Sequence, residues 1–362
     1  MDNKEIFKQL SETMANRGGP YPGMDIPEFY PMVEEMFTPE EAALSNAMPI
    51  GHFTLDKLLP KVDMSEEELI EMLKEMGKKG LSETRMIGGK LHYMGSPFMP
   101  GIIERKFMRG TFTDHDKRVA ILVKKYVDRV DEIIGERVKT YPEGRVIPIN
   151  QTVKGETTVR VYDEIMSYID KNDFISVGTC YCRHWARLVD ENDVCEKPHE
   201  VCMIFGEGAR NMVENGIGRS LTKEEAREVI LETEKEGLIH CTMNTKDITF
   251  VCNCCKCHCM GIEMALRNDN PSDFISSGFK PVTNQELCVN CGTCIDICPT
   301  EALSFNSDDI LEINSPKCLG CGLCVSNCEV DALTLSKKED AYEPAEDIED
   351  LMGKIAASVS EA

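Results

Sequence analysis

The cysteines are the residues of this chain whose type and spacing indicate chemistry. All 18 follow residue 179 of a 362-residue sequence, ten between Cys180 and Cys259 and eight between Cys288 and Cys328. Clustered thiolates bind soft metal ions and iron–sulfur clusters, whereas in exported proteins cysteines form disulfides. The first residues, MDNKEIFKQL, lack the apolar segment of a secretory signal. We therefore expect a cytoplasmic protein whose thiolates bind metal.

The last eight cysteines form an internal repeat with a period of 30 residues. Each copy has the spacing C-x2-C-x2-C-x3-C, in Cys288, Cys291, Cys294 and Cys298 and again in Cys318, Cys321, Cys324 and Cys328. Three closely spaced thiolates can bind one cluster while the fourth points away from it. Paired zinc sites use C-x2-C pairs but not this run of four repeated twice. The repeat therefore predicts two iron–sulfur clusters.

This repeat, with Pro299 after its first copy, resembles that of bacterial two-cluster ferredoxins. The resemblance covers residues 284–335 and implies a ferredoxin-like (β-α-β)2 module with two [4Fe–4S] clusters. It implies that the first cluster is bound by Cys288, Cys291, Cys294 and Cys328. It implies that the second is bound by Cys318, Cys321, Cys324 and Cys298. Glu329 departs from the family, which usually has a second proline there, but no ligand is lost.

The ten central cysteines are spaced less regularly. One segment contains Cys180, Cys182, Cys195 and Cys202, which we predict to bind a third iron–sulfur cluster or zinc. Six further candidate ligands follow, namely Cys241, Cys252, Cys254, Cys255, Cys257 and Cys259. The neighbouring ferredoxin module favours one or two additional iron–sulfur clusters, and mixed Cys/His sets also suit zinc. A thiol–disulfide site at Cys254–Cys255 is the third alternative.

The central pattern C-x-C-R … C-x2-P-x3-C … F-x-C-N-C-C-x-C-x-C resembles ferredoxin-fused 4Fe–4S dicluster proteins of strict anaerobes, which are uncharacterised. That resemblance implies electron transfer. His240 and His258 lie among the cysteines and are candidate ligands, although we expect each instead to support a ligand or to lie at the surface. Trp185 follows Cys182 by three residues, where it either packs or shields a cluster from water.

The remaining sequence predicts an α+β multidomain chain. We expect an extended arm over residues 1–50, a winged-helix-like unit over 51–110, a Cys-rich mixed α/β domain over 111–280 and an acidic tail over 336–362. The winged-helix prediction depends on the order helix, helix, hairpin. Ser65 and Glu68 form a capping-box pattern at the start of the second helix, and Gly88-Gly89 marks the hairpin.

The charge of the chain disfavours nucleic acid as a partner. There are 63 acidic and 40 basic residues, a formal net charge of −23, and such a surface repels phosphates. The candidate second helix begins with Glu66, Glu67 and Glu68. No apolar run approaches the roughly 18 residues of a membrane span. Residues 284–335 contain eight acidic residues and one basic residue, which favours steering toward a basic redox partner, with solubility as the simpler alternative.

Together these patterns predict an iron–sulfur electron-transfer protein, the electron-relay subunit of an anaerobic oxidoreductase complex. Its partners are a redox-partner protein or other oxidoreductase subunits, and its assembly as a homo- or hetero-oligomer is left open. Two alternatives differ in class: a redox-responsive winged-helix regulator, and a reductase with substrate chemistry at a central iron–sulfur centre. The sequence assigns no catalytic residue.

Overall fold

The computed structural model describes residues 2–19, 21–135, 141–148, 165–339 and 341–360. The helices are α1 (Asn3–Arg17), α2 (Phe29–Met36), α3 (Pro39–Ala47), α4 (Leu55–Leu58), α5 (Glu66–Lys79), α6 (Ile103–Phe107), α7 (Asp114–Ile134), α8 (Ile165–Lys171), α9 (Tyr181–Val189), α10 (Gly206–Glu214), α11 (Lys223–Lys235), α12 (Met260–Leu266), α13 (Thr293–Asp296), α14 (Leu323–Ser326) and α15 (Ile348–Ser360). The strands are β1 (Ser82–Ile87), β2 (Lys90–Gly95), β3 (Gly144–Val146), β4 (Ile175–Thr179), β5 (Glu200–Phe205), β6 (Arg219–Leu221), β7 (Ile239–Met243), β8 (Phe250–Cys254), β9 (Ile275–Ser276), β10 (Phe279–Thr283), β11 (Leu303–Phe305), β12 (Leu311–Ile313) and β13 (Leu333–Lys337).

The chain divides into two compact units that do not follow its linear order. The first comprises Met1–Glu136, Ser176–Val194 and Glu207–Ser220, and the second comprises Arg137–Ile175, Cys195–Gly206 and Leu221–Ala362. The predicted central domain, 111–280, thus contributes to both units. That prediction also includes residues 136–140 and 149–164, which lie outside the described residues. The domain boundaries given above stay predictions.

The first unit is mainly helical. Residues 1–50 were predicted to form an extended arm, but they contain α1, α2 and α3. One face of α1 is buried, with Phe7 nearly inaccessible and Leu10 and Met14 fully buried. The helical spacing of the apolar residues is hard to recognise in the sequence because proline and aromatic residues lie both in the helices and in the segments that connect them. Tertiary packing of one apolar face stabilises these short helices.

The helix–hairpin order predicted for residues 51–110 is present in the first unit. Ser65 accepts a hydrogen bond from the Glu68 N–H, and the Glu68 carboxylate accepts one from the Ser65 N–H, so α5 begins with the predicted capping box. Strands β1 and β2 pair in antiparallel register around Gly88 and Gly89, both at positive φ. The helix before α5 has only four residues, Leu55–Leu58. A winged-helix fold stays a prediction.

The second unit has an open sheet in which five strands are neighbours in the order β5-β8-β7-β3-β9. All pairs are antiparallel except β3 with β9. Helix α11 begins with the capping box of Thr222 and Glu225. Because successive residues of a strand point to opposite faces, β7 and β8 each present alternate residues to one side of this sheet. The strands of this sheet and helix α11 make this part of the chain mixed α/β, as predicted.

The C-terminal part of the second unit is ferredoxin-like, as predicted. It repeats a strand, a short helix and a second strand: β10, α13 and β11, then β12, α14 and β13. Strand β10 pairs with β13, and β11 pairs with β12, both antiparallel. The region predicted as an acidic tail contains β13 residues and α15, and Ala345 and Leu351 are fully buried. This segment is therefore packed rather than free.

Candidate metal-thiolate sites

The first ferredoxin site is a surface cavity lined by four thiols. Its cysteines are Cys288, Cys291, Cys294 and Cys328, and we name it the outer ferredoxin site. Val289, Phe305 and Leu311 also line it. Cys291 is exposed, whereas Cys294 is buried. Hydrogen bonds to Thr293 lower the pKa of the Cys291 thiol, which favours the thiolate that a cluster requires.

The second ferredoxin site is a cavity whose cysteines are less exposed than those of the outer site. Its cysteines are Cys298, Cys318, Cys321 and Cys324, and we name it the inner ferredoxin site. Burial raises the pKa of Cys321 to about 12 and raises that of Cys324 still further. Thiolates so strongly disfavoured need a nearby cation to ionise. Each cavity thus brings together three cysteines of one run and the fourth of the other.

The backbone after each run follows the same path in both copies. Glu301 and Asp331 have φ values of 53° and 52°, a left-handed conformation that is uncommon for residues other than glycine. These turns direct the Ala302 N–H to the Cys298 sulfur at 3.3 Å and the Ala332 N–H to the Cys328 sulfur at 3.2 Å. Hydrogen bonds to ligand sulfurs tune cluster potential. The donors, the thiols and the cavities fit a pair of [4Fe–4S] clusters.

Five central cysteines lie together in the second unit and form what we call the strand-face group. Its members are Cys202, Cys241, Cys252, Cys254 and Cys259. Cys241 lies directly opposite Cys252 in the β7–β8 register, and the β5–β8 register continues to place Cys202 opposite Cys252. Hydrogen bonds connect Cys252 to Cys202 and Cys254 to both Cys241 and Cys259. Three neighbouring strands and the start of α12 thus supply one thiol-lined site.

The strand-face group is embedded in apolar surroundings. Cys241, Cys254 and Cys259 belong to one hydrophobic core that also contains Leu323. Cys321 of the inner ferredoxin site packs against this core. The hydrogen bond with the Cys241 thiol and burial raise the pKa of Cys254 well above its usual range. As at the inner site, a cation would be needed to hold these sulfurs as thiolates.

A second central group lies at the turn that follows β8, and we call it the turn group. It comprises Cys195, Cys255, Cys257 and His258, whose ligand atoms all lie within 4.8 Å of one another. Cys195 and Cys255 are buried against Leu238, whereas Cys257 is exposed. Burial and the neighbouring Cys255 and Cys195 thiols raise the pKa of Cys257 to about 12.

The other candidates have different surroundings. Cys180 and Cys182 are buried in the first unit, at the start of α9, so the ligand set proposed from their segment stays a prediction. His240 is buried on the sheet face opposite Cys241, and its Nδ1 lies 2.6 Å from the side-chain oxygen Oδ1 of Asn253. Burial lowers its pKa to about 4. Trp185 packs in the first unit, where its indole donates to the Ala120 carbonyl.

His258 is a member of the turn group that the sequence did not favour as a ligand. It was expected to support a ligand or lie at the surface, yet its ring belongs to the turn group. The signal available was its position between Cys257 and Cys259, which by itself is ambiguous. Cys195 joins the group through its contact with Cys257, which lies 62 residues later in the chain, and spacing does not reveal that contact.

Thiols in this arrangement define an iron–sulfur protein with a ferredoxin-type module. Residues 282–335 match the family model described as a 4Fe-4S dicluster domain. No curated protein and no solved structure matches the chain. The match and the thiol groups support electron transfer. Within the described ranges, no helix is long and apolar enough to cross a membrane.

Proposed function

We propose that this chain is the electron-relay subunit of an anaerobic oxidoreductase complex, with a third iron–sulfur centre in the strand-face group. The observation that carries the proposal is the shared core in which Cys321 of the inner ferredoxin site packs beside Cys241, Cys254 and Cys259. Clusters held by such thiolates accept and release single electrons. A continuous series then runs from the outer site through the inner site to the strand-face group.

The outer ferredoxin site is suited to exchange with a partner. Cys291 is exposed, and the side chain of Val289 beside it is 64% exposed. Leu287 and Val330 are also exposed large apolar residues of this module. Apolar residues surrounded by charge are typical of protein contact sites. The acidic residues of the module would steer a basic redox partner toward them.

The interior residues protect the relay from water. Apolar side chains, including Phe279, Leu303 and Leu335, are buried around the ferredoxin cysteines. The Ala302 and Ala332 amides donate to Cys298 and Cys328, which offsets part of the negative charge of the thiolates. Exclusion of solvent and these donors are the means by which a protein sets cluster potential.

Metal analysis of anaerobically purified full-length chain tests this proposal. We expect about eight iron atoms and matching acid-labile sulfide from the module and about four more from the strand-face group. EPR of the reduced protein should contain three sets of signals. About eight iron atoms with two sets of signals would refute the third centre and would leave the module intact. Fewer than eight after reconstitution would refute the relay itself.

Both alternative functions are less well supported. In the first unit Glu66, Glu67 and Glu68 are exposed in the first turn of α5, where a recognition helix would meet phosphates. Retention on DNA that weakens steeply with salt would instead favour the regulator. A reductase needs an open coordination position, but the five strand-face thiols exceed the four that a cubane requires. Binding of a small substrate to the reduced central centre would favour it.

A further inference from the structure

We propose that the turn group binds a single Zn²⁺ ion through Cys195, Cys255, Cys257 and His258, at a structural site separate from the electron relay. This inference goes beyond the relay function and does not depend on it. Each residue offers one ligand atom, and together they form the three-sulfur, one-nitrogen set that is common for structural zinc.

The spacing of the ligand atoms suits one ion rather than a cluster. The Cys195 and Cys257 sulfurs lie 3.8 Å apart. Tetrahedral Zn²⁺ with bonds of about 2.3 Å to sulfur separates two thiolates by about 3.8 Å. The His258 Nδ1 lies 3.1 Å from the Cys257 sulfur, so the nitrogen is on the same side of the turn. Thiolates of a cubane bind different iron atoms and are therefore held farther apart.

The local fold separates this site from the strand-face group. Cys254 ends β8 on the face that carries Cys241 and Cys252, and the chain then turns, so Cys255 packs instead with Cys195 and Leu238. The turn ends at Cys259, which precedes α12. A run of closely spaced cysteines thus serves two sites.

An ion here would stabilise the second unit by linking two distant parts of its chain. Cys195 comes from the segment before β5, and the other three ligands come from the turn between β8 and α12. Binding would join these segments and would release the thiol protons to solvent. With four protein ligands the site is closed, which is typical of structural rather than catalytic zinc.

Elemental analysis and zinc-edge X-ray absorption test this site on full-length chain expressed with both metals and dialysed anaerobically against a chelator. We expect about one zinc per chain in the wild type, with about three sulfur neighbours and one nitrogen neighbour. His258→Ala and Cys257→Ala should lower zinc at least about tenfold with iron unchanged. His92→Ala, at a histidine of the β1–β2 hairpin in the first unit, is the matched control and should retain both metals.

His258→Cys keeps the test informative if the alanine variants fold poorly. It should retain zinc, and its absorption spectrum should change to four sulfur neighbours. Zinc that is absent from the wild type, or retained in His258→Ala, would overturn the proposal. So would loss of iron together with zinc in a folded variant, or a wild-type spectrum without nitrogen. Iron in the wild type reports on the relay separately, so the two proposals can fail independently.

Discussion

Cys241 and Cys252 face each other across the antiparallel strands β7 and β8. Their thiols are two of the five in the strand-face group, so removal of both leaves three, fewer than the four that a cubane requires, and should empty the third centre. We expect the double variant Cys241→Ser, Cys252→Ser to lower iron from about twelve to about eight atoms per chain. Iron and sulfide analysis measures the loss, and EPR of the reduced variant should retain the ferredoxin signals. Unchanged iron content would contradict the assignment.

The two ferredoxin sites should respond separately to substitution. Cys291 lines the outer site and is exposed, whereas Cys321 lines the inner site and is only partly exposed. Cys291→Ser and Cys321→Ser should each disturb one ferredoxin signal in EPR and leave the strand-face centre bound. Loss of all centres in Cys291→Ser would contradict independent sites. The two variants control for each other.

The acidic surface of the ferredoxin module should speed encounter with basic partners. Four exposed carboxylates, Glu286, Asp308, Asp309 and Glu329, contribute to it. Their replacement by the matching amides should slow electron transfer to a basic acceptor, cytochrome c, several-fold at low salt. The rate of the variant should also depend less on ionic strength than that of the wild type, because fewer charges remain for salt to screen. The Debye length falls from about 10 Å at 0.1 M to about 3 Å at 1 M.

Stopped-flow kinetics at several salt concentrations measures this effect. The control replaces Glu66, Glu67, Glu71 and Glu75, which are exposed on α5 of the first unit, by glutamine and changes the net charge equally. An equal effect of both sets would mean that total charge, rather than the ferredoxin surface, controls the rate. Truncation of the acidic C-terminal segment is a poorer test because Ala345 and Leu351 are buried.

Glu234 should make stability depend on pH. Burial raises its pKa to about 7, although a hydrogen bond with Ser326 opposes the shift. The folded chain therefore favours the protonated carboxyl: the stabilisation is complete below the unfolded pKa of about 4.5 and is lost as pH rises through 7. Glu234→Gln removes this loss. Relative to wild type it should gain about 2 kcal/mol between about pH 5.5 and about pH 8.

Anaerobic thermal unfolding at several pH values measures this difference. The gain should appear as a rise of a few degrees in the midpoint of Glu234→Gln over wild type at the alkaline end. Glu232→Gln, at an exposed residue of the same helix, should follow the wild type throughout. A constant offset between Glu234→Gln and wild type at every pH would contradict an ionising role for Glu234.

Features that depend on neighbouring residues could be predicted from the sequence. The repeat of period 30 predicted a dicluster module, and the family match at 282–335 confirms it, because three ligands of each cluster lie within seven residues. The capping box at Ser65 and Glu68 was predicted for the same reason. Both depend on local geometry that spacing alone fixes. Helices α1 and α2 were missed because packing stabilises them and neither has a side-chain cap. Helix α3 was missed although the capping box of Thr38 and Glu41 marks its start.

Only the tertiary structure decided how the central cysteines are grouped. Cys254 is the last residue of β8 and joins Cys241, whereas Cys255 lies in the turn after the strand and joins Cys195. Spacing does not reveal which strands are neighbours, and therefore could not bring Cys202 to Cys252 or Cys195 to Cys257. The thiols themselves, and hence the affinity for soft metals, follow from the sequence. Their division into sites follows from strand order, because contacts between distant residues form only when the sheet does.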